Sequence, residues 1–386
     1  MDRFLRALLA LVLLRWVLDL LFWLDVIPLA RRVGPLLYHG GDQLLMMDMA
    51  YLLRFGILKP AAVNIGQPLM LLPWSVILNT AIYDQVVIPA TIINGFLFGG
   101  LSILVLGWLA RHLIGQSAPA LWAAALWAAI PLISYGLFFW HPEFETLRSI
   151  TVPRWSWLVG LSDPPAAFFT MLAVLLLARV VDQGRQAPFW PLVWAGAAMG
   201  LAVVFRIHMA FVVIFLLAYV WIAHGWRALL AAGGGGLVAY LPQACYNQVV
   251  FGVPFWSGYF SLDAVNSYSL RNILAIQPFS LGHLGETLQS VLAGRAWALP
   301  LAGGALAGLV IAGLLIRQRR GTARMALLIG PALAYLGPMM ASYPFREDVI
   351  RFSMPAIPFL IVLGVCFLVI FGQWLASQRR RMPAQP

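Results

Sequence analysis

Charge is what this sequence has least of. Only 10% of its 386 residues are Asp, Glu, Lys or Arg, against 62% hydrophobic, and its mean hydropathy is +0.87. A water-soluble domain carries about a quarter charged residues, so a soluble globule is excluded, and with it the habit of counting one domain per ~150 residues. Lysine is rarer still: Lys59 stands alone among 25 basic side chains, an arginine bias that points to a GC-rich bacterial genome. No asparagine opens an N-x-[ST] sequon, in keeping with a non-eukaryotic source. Cys245 and Cys366 lie too far apart for a metal or redox motif and read as apolar fillers. No Ser-His-Asp, Cys-His or Walker pattern is visible. The run Gly233–Gly236 is not followed by Lys-Ser/Thr, so it suits close helix packing rather than a phosphate cradle. The sequence pI is about 10.3, yet no separate basic soluble domain is present, which excludes the usual nucleic-acid binder.

What the chain does have is long apolar runs. A membrane-spanning helix needs about 20 apolar residues. Ten windows qualify: 7–28, 86–110, 118–140, 164–181, 188–205, 208–225, 228–243, 297–316, 324–343 and 353–376. With the N-terminus inside, the cytoplasmic segments hold Arg3, Arg6, Arg111, Arg179, Arg185, Arg227, Arg317, Arg319, Arg320, Arg324, Arg379, Arg380 and Arg381, against Asp2 and Asp182. The outside segments balance, and Arg15 and Asp19 cancel one turn apart, so the whole net charge of +11 falls on one side. That is the positive-inside pattern.

The expected fold class is therefore all-α: a polytopic membrane bundle of about ten spans, N-in and C-in, with extracytoplasmic loops and interfacial helices. Residues 1–376 form a single transmembrane domain and 377–386 a basic cytoplasmic tail. The outside segments 30–85, 141–163, 244–296 and 344–352 are mostly long and rich in Trp, Tyr, Phe and Pro. Aromatic residues suit the headgroup belt, and long ordered loops carry function, so the working face is expected to be extracytoplasmic.

The candidate chemistry gathers there. In "YHGGDQLLMMDMAYLLRFGILKP", residues 38–60, a helix is expected over 43–55, with Asp42 at its start and Gly56 past its end. Asp42 has two compatible readings: a helix cap, and a general base for an attacking hydroxyl. Asp48 lies about 240° further round the helix, so the two acids do not face one point. It ranks second, as does His39 beside the glycine pair. Asp163 begins a span before two prolines, an ordinary capping arrangement that is also a site candidate. Arg206, in the short turn "FRIHMAF", and Arg351, at the mouth of the last span, are placed to hold a lipid-borne phosphate. His141 and Glu143 alternate within "HPEFETLR", which is not the spacing of a helical metal pair. A divalent metal stays open but is not favoured.

Four stretches resemble the GT-C superfamily of membrane glycosyltransferases, and within it the bacterial relatives of protein O-mannosyltransferases and of the lipid A aminoarabinose transferase. They are "GGDQLLMMDMAYLLRFGILKP…NIGQPLMLLPW", "LSDPPAAFFTMLAVLLLAR", "YNQVVFGVPFWSGY" and "RFSMPAIPFLIVLG", running together from residue 38 to 364. The resemblance implies sugar transfer from a polyprenyl-phosphate donor to a glycan, lipid or protein hydroxyl, at the periplasmic face of a bacterial inner membrane. By that likeness Asp42 is the base, Asp163 a second site acid and Arg206 and Arg351 phosphate contacts. Tyr246, Asn247 and Tyr259 then shape a loop over the donor. Many members carry paired acids where this chain has Asp42-Gln43, which argues against a metal held there.

Two other functions compete. A lipid flippase or transporter wants polar residues along its spans, whereas intramembrane charge here is nearly confined to Arg15 and Asp19. A non-catalytic subunit would use the same scaffold beside a membrane-complex partner.

Overall fold

The computed structural model describes residues 2–28, 41–61, 63–139, 152, 154–255, 282, 285, 322–340 and 353–379. Every regular element among them is helical. They are α1 (Arg3–Trp23), α2 (Gly41–Leu53), α3 (Gly66–Ile77), α4 (Val87–Ile114), α5 (Ser117–Ala128), α6 (Ile130–Phe139), α7 (Asp163–Val180), α8 (Phe189–Phe205), α9 (Ala210–His224), α10 (Trp226–Phe251), α11 (Thr322–Met340) and α12 (Ile357–Arg379). Short 3-10 turns lie at Tyr83–Val86, Val181–Gln186 and Ile207–Met209.

Among the described residues six helices are long and apolar enough to cross a membrane, and α5 with α6 makes a seventh, bent by 58°. The six contain α4, α7, α9, α10, α11 and α12. Helix α8 is apolar but only 17 residues long, and α1 carries Arg15 and Asp19 within its 21 residues. The window expected at 297–316 lies outside the described residues.

The bend in the 118–140 window has a local cause. Pro131 has no N–H to give the carbonyl one turn back, on Trp127. That carbonyl instead accepts from Arg15 Nη1 at 3.4 Å, while Arg15 Nη2 donates to Trp155 O at 3.0 Å and Nε binds Asp19 at 2.7 Å. Both charged side chains are buried, 1% and 0% exposed. The pair that cancels in the sequence thus ties three segments together.

Small residues set the bundle's tightest seam. A Cβ on Gly196 of α8 would run into the carbonyl oxygen of Ala232 on α10, and one on Gly235 of α10 into that of Val193. Backbones that close leave no room for side chains, the usual solution where lipid gives no hydrophobic drive for association. Of the glycine run, Gly233 and Gly234 face open space, and the packing falls on Gly235 and Gly236. Helix α10 also runs on to Phe251, past the expected boundary, so Tyr246 and Asn247 lie on a helix rather than in a loop. Cys366 is buried as expected of a filler, but Cys245 is exposed.

Candidate active site

Two helix starts and one helix break converge at one end of the bundle. Helix α7 begins at Asp163, where Pro164 and Pro165 occupy first-turn positions that need no amide donor. The segment before it is strapped to α4. Residues Ile92–Phe98 of α4 are wound as a π-helix, and its Asn94 donates to Val159 O at 2.9 Å and Leu161 O at 2.8 Å. Thr91 Oγ1 donates to Leu158 O at 3.2 Å. Loose π turns of this kind recur at functional sites. Here Asn94 in the turn and Thr91 just before it hold Leu158, Val159 and Leu161, ahead of Ser162 and Asp163.

The break lies between α8 and α9. Arg206 leaves the helix in extended conformation, φ −148° and ψ 114°, and the turn Ile207–Met209 restarts it. This kink aims the Arg206 guanidinium at Asp163, and the two form an ion pair. Asp163 is 0% exposed and Arg206 5%. Two residues expected to share a site therefore meet, each as the other's counter-ion.

Helix α2 covers the pair. Gly160 sits directly beneath it: a Cβ there would meet Met47 Cε at 2.9 Å and Gln43 Cγ at 3.6 Å. The helix begins at Gly41, earlier than expected, which places Asp42 in its first turn rather than ahead of it. Past its end Gly56 adopts φ +73°, the left-handed conformation expected of a terminating glycine. Asp42 is half-buried, and Met46, one turn on and so on the same face, lines a cleft with Asn64, Ser162, Arg206 and His208. The cleft's volume is about 10 Å³, room for about one water. Asp48 points elsewhere and pairs with Lys59 at 2.7 Å on the exposed side.

The strap from Lys59 to Gly66 joins α2 and α3 to the rest. Asn64 Nδ2 donates to Val203 O at 2.6 Å, and Gln243 Oε1 accepts from the Ile65 amide at 2.9 Å. Gln243 Nε2 in turn donates to Asn247 Oδ1 at 2.7 Å, and Asn247 Nδ2 to Pro254 O at 3.1 Å. Tyr246 OH donates to Lys59 O at 2.7 Å. Gly66 packs so closely on α8 that a Cβ would lie 2.7 Å from Val204 O. Tyr246 and Asn247 thus hold the strap from behind. Sequence reasoning passed over Asn64, Gln67 and Gln243. An amide inside an apolar run, as in "YLPQACYN", is the signal that finds such residues. Gln67 is fully buried, with no hydrogen-bond partner for either side-chain atom among the described residues.

Arg351, Tyr259, His39, His141 and Glu143 lie outside the described residues. Among those described, no group of three His, Cys, Asp or Glu side chains comes together as a metal site.

No protein-family model and no curated protein matches the sequence. Solved structures do match the fold. The Archaeoglobus fulgidus oligosaccharyltransferase AglB, in complex with an inhibitory peptide and a dolichol-phosphate, aligns with a TM-score of 0.60 at 14% identity, over 99% of this chain and 52% of that one. Its apo form gives 0.58 at 15% identity, over 98% and 51%. ArnT from Cupriavidus metallidurans, in the apo state, gives 0.50 at 18% identity, over 94% and 62%. The chain therefore spans about half the length of the archaeal enzyme it matches. The likeness to these two membrane enzymes is one of overall fold, which this chain shares with both.

Proposed function

We propose that this chain is a membrane glycosyltransferase, moving a sugar from a polyprenyl-phosphate donor to a hydroxyl acceptor on the extracytoplasmic face of a bacterial inner membrane. The observation that carries this reading is that Met46, one turn along α2 from Asp42, lines one cleft with Arg206, whose counter-ion is Asp163. The dolichol-phosphate bound in the archaeal structure supports a lipid phosphate as the leaving group here. In the reaction the acceptor oxygen attacks the anomeric carbon, the bond from that carbon to the phosphate oxygen breaks, and the acceptor proton passes to Asp42. The departing phosphate diester becomes a monoester, and its growing charge needs cations, which Arg206 and Arg351 supply. Asp163 keeps Arg206 oriented until the phosphate shares it. Tyr246 and Asn247 hold the strap, and Tyr259 covers the donor.

A second reading, a non-catalytic subunit on the same scaffold, is favoured by one observation: Asp163 and Arg206 already neutralise each other beside a cleft that admits about one water. The two separate in one experiment. Purified full-length protein is incubated with a polyprenyl-phosphate sugar and an alcohol acceptor, and free polyprenyl phosphate is measured by mass spectrometry. The transferase releases it in step with glycoside. No release, with a stoichiometric membrane partner co-purifying, establishes the subunit instead.

A further inference from the structure

The opposite end of the bundle carries a second cleft, separate from the candidate active site and independent of the transferase reading. Helix α7 runs from Asp163 at one end to Arg179 at the other, about 24 Å away at 1.5 Å per residue, and Asp182 follows in the next turn. There the ends of α1, α4 and α11 border an open cleft of about 530 Å³, lined by Asp2, Trp108, Arg111, His112, Gly115 and Arg324. That is within the range of small-molecule sites.

The cleft's two guanidinium groups are held in place before any ligand arrives. Arg111 stacks on Phe4 at 4.7 Å and Trp108 at 5.1 Å, and its Nη1 donates to Asp2 Oδ2 at 3.2 Å. Asp2 is itself fixed by the Phe4 amide at 3.3 Å, and that bond and Arg111 hold its carboxyl below the usual range. Arg324 donates one nitrogen to Asp182. Each arginine thus spends one nitrogen on a carboxylate, and no other hydrogen bond engages either among the described residues. His112 lines the same cleft. Gly115 ends α4 at φ +76° and leaves the mouth open. Two oriented guanidinium forks and an imidazole facing one space match the oxygens of a phosphate group.

We propose that this cleft binds a phosphate group, borne either by an anionic lipid headgroup or by a free phosphate compound. Two probes distinguish the sources. The full-length protein in a neutral detergent is melted with increasing inorganic phosphate at constant ionic strength, and separately in bicelles of phosphatidylcholine with increasing phosphatidylglycerol. A saturable rise in Tm is expected with at least one probe: with phosphatidylglycerol alone if the source is a headgroup, with phosphate if it is a soluble compound. Arg324→Gln and Arg111→Gln should raise the half-saturating concentration at least about tenfold. Arg324→Lys keeps the charge but not the fork and should fall between. The Arg324–Asp182 pair is exposed, so its loss should leave the unliganded Tm nearly unchanged. Arg185, exposed at the same end but not lining the cleft, is the control, and Arg185→Gln should bind like wild type. No saturation with either probe, or an equal loss in Arg185→Gln, overturns the proposal and leaves only a diffuse basic surface.

Discussion

Asp163 and Arg206 put opposite charges at buried positions. A buried pair is weak evidence for stability, because desolvation offsets much of the attraction, but removing one partner strands the other. Asp163→Asn should therefore cost about 3–5 kcal/mol, read as a fall in Tm of the purified protein. Replacing both, Asp163→Asn with Arg206→Met, should recover much of that loss, since no bare charge remains. Equal melting of single and double variants would show that the two are not coupled. Under the transferase reading the double variant stays inactive even when stable, because Arg206 is also the phosphate contact. The pairing itself was not legible in the sequence. Both residues stood out as charges at the ends of apolar runs, but 43 positions separate them, and no periodicity links a helix start to a distant helix break. Asp48 shows the converse. Its phase on α2 already turned it away from Asp42, and the structure gives it to Lys59.

At the scale of elements, the apolar runs gave the helices well and their ends less well. Composition cannot say where a run stops being a span, which is why α10 continues to Phe251 and takes Tyr246 and Asn247 out of the expected loop. The break at Ala129 was hidden because Pro131 lies inside an otherwise apolar window, and its consequence depends on Arg15 more than 100 positions earlier. The π turn of α4 had no sequence signal at all. Its role yields a prediction: Asn94→Leu leaves the carbonyls of Val159 and Leu161 without donors, at about 1–3 kcal/mol each. Hydrogen exchange should then quicken in the segment before Asp163 while α10 stays protected. Unchanged exchange there would mean that the strap is held by something else. The α8–α10 seam gives a second. Gly196→Leu forces the two backbones apart and should abolish a cooperative melt. Gly233→Ala, in the glycine run of α10 but facing open space, should be neutral or stabilise by up to about 1 kcal/mol through helix propensity. If both variants behave alike, the seam does not depend on close approach.

At the scale of the molecule, polarity among the described residues gathers at two ends. One end holds Asp42, the Asp163–Arg206 pair and the amide-rich strap behind them. The other holds Arg111, Arg179 and Arg324 with Asp2 and Asp182. Three of the arginines that the sequence reading assigns to one side, Arg111, Arg179 and Arg324, thus gather at one end. A transferase acting on a lipid-borne sugar needs such a division, with its acid and cations at one water–lipid boundary and a bundle of apolar helices beneath. The proposed chemistry turns on Asp42 as the base that takes the acceptor's proton. The most direct measurement compares wild type with Asp42→Asn for turnover of a polyprenyl-phosphate sugar and, in parallel, for binding of the same donor. Asp42→Asn is expected to turn over about 10²- to 10⁴-fold more slowly, with donor affinity and Tm unchanged. Wild-type turnover in Asp42→Asn would contradict it.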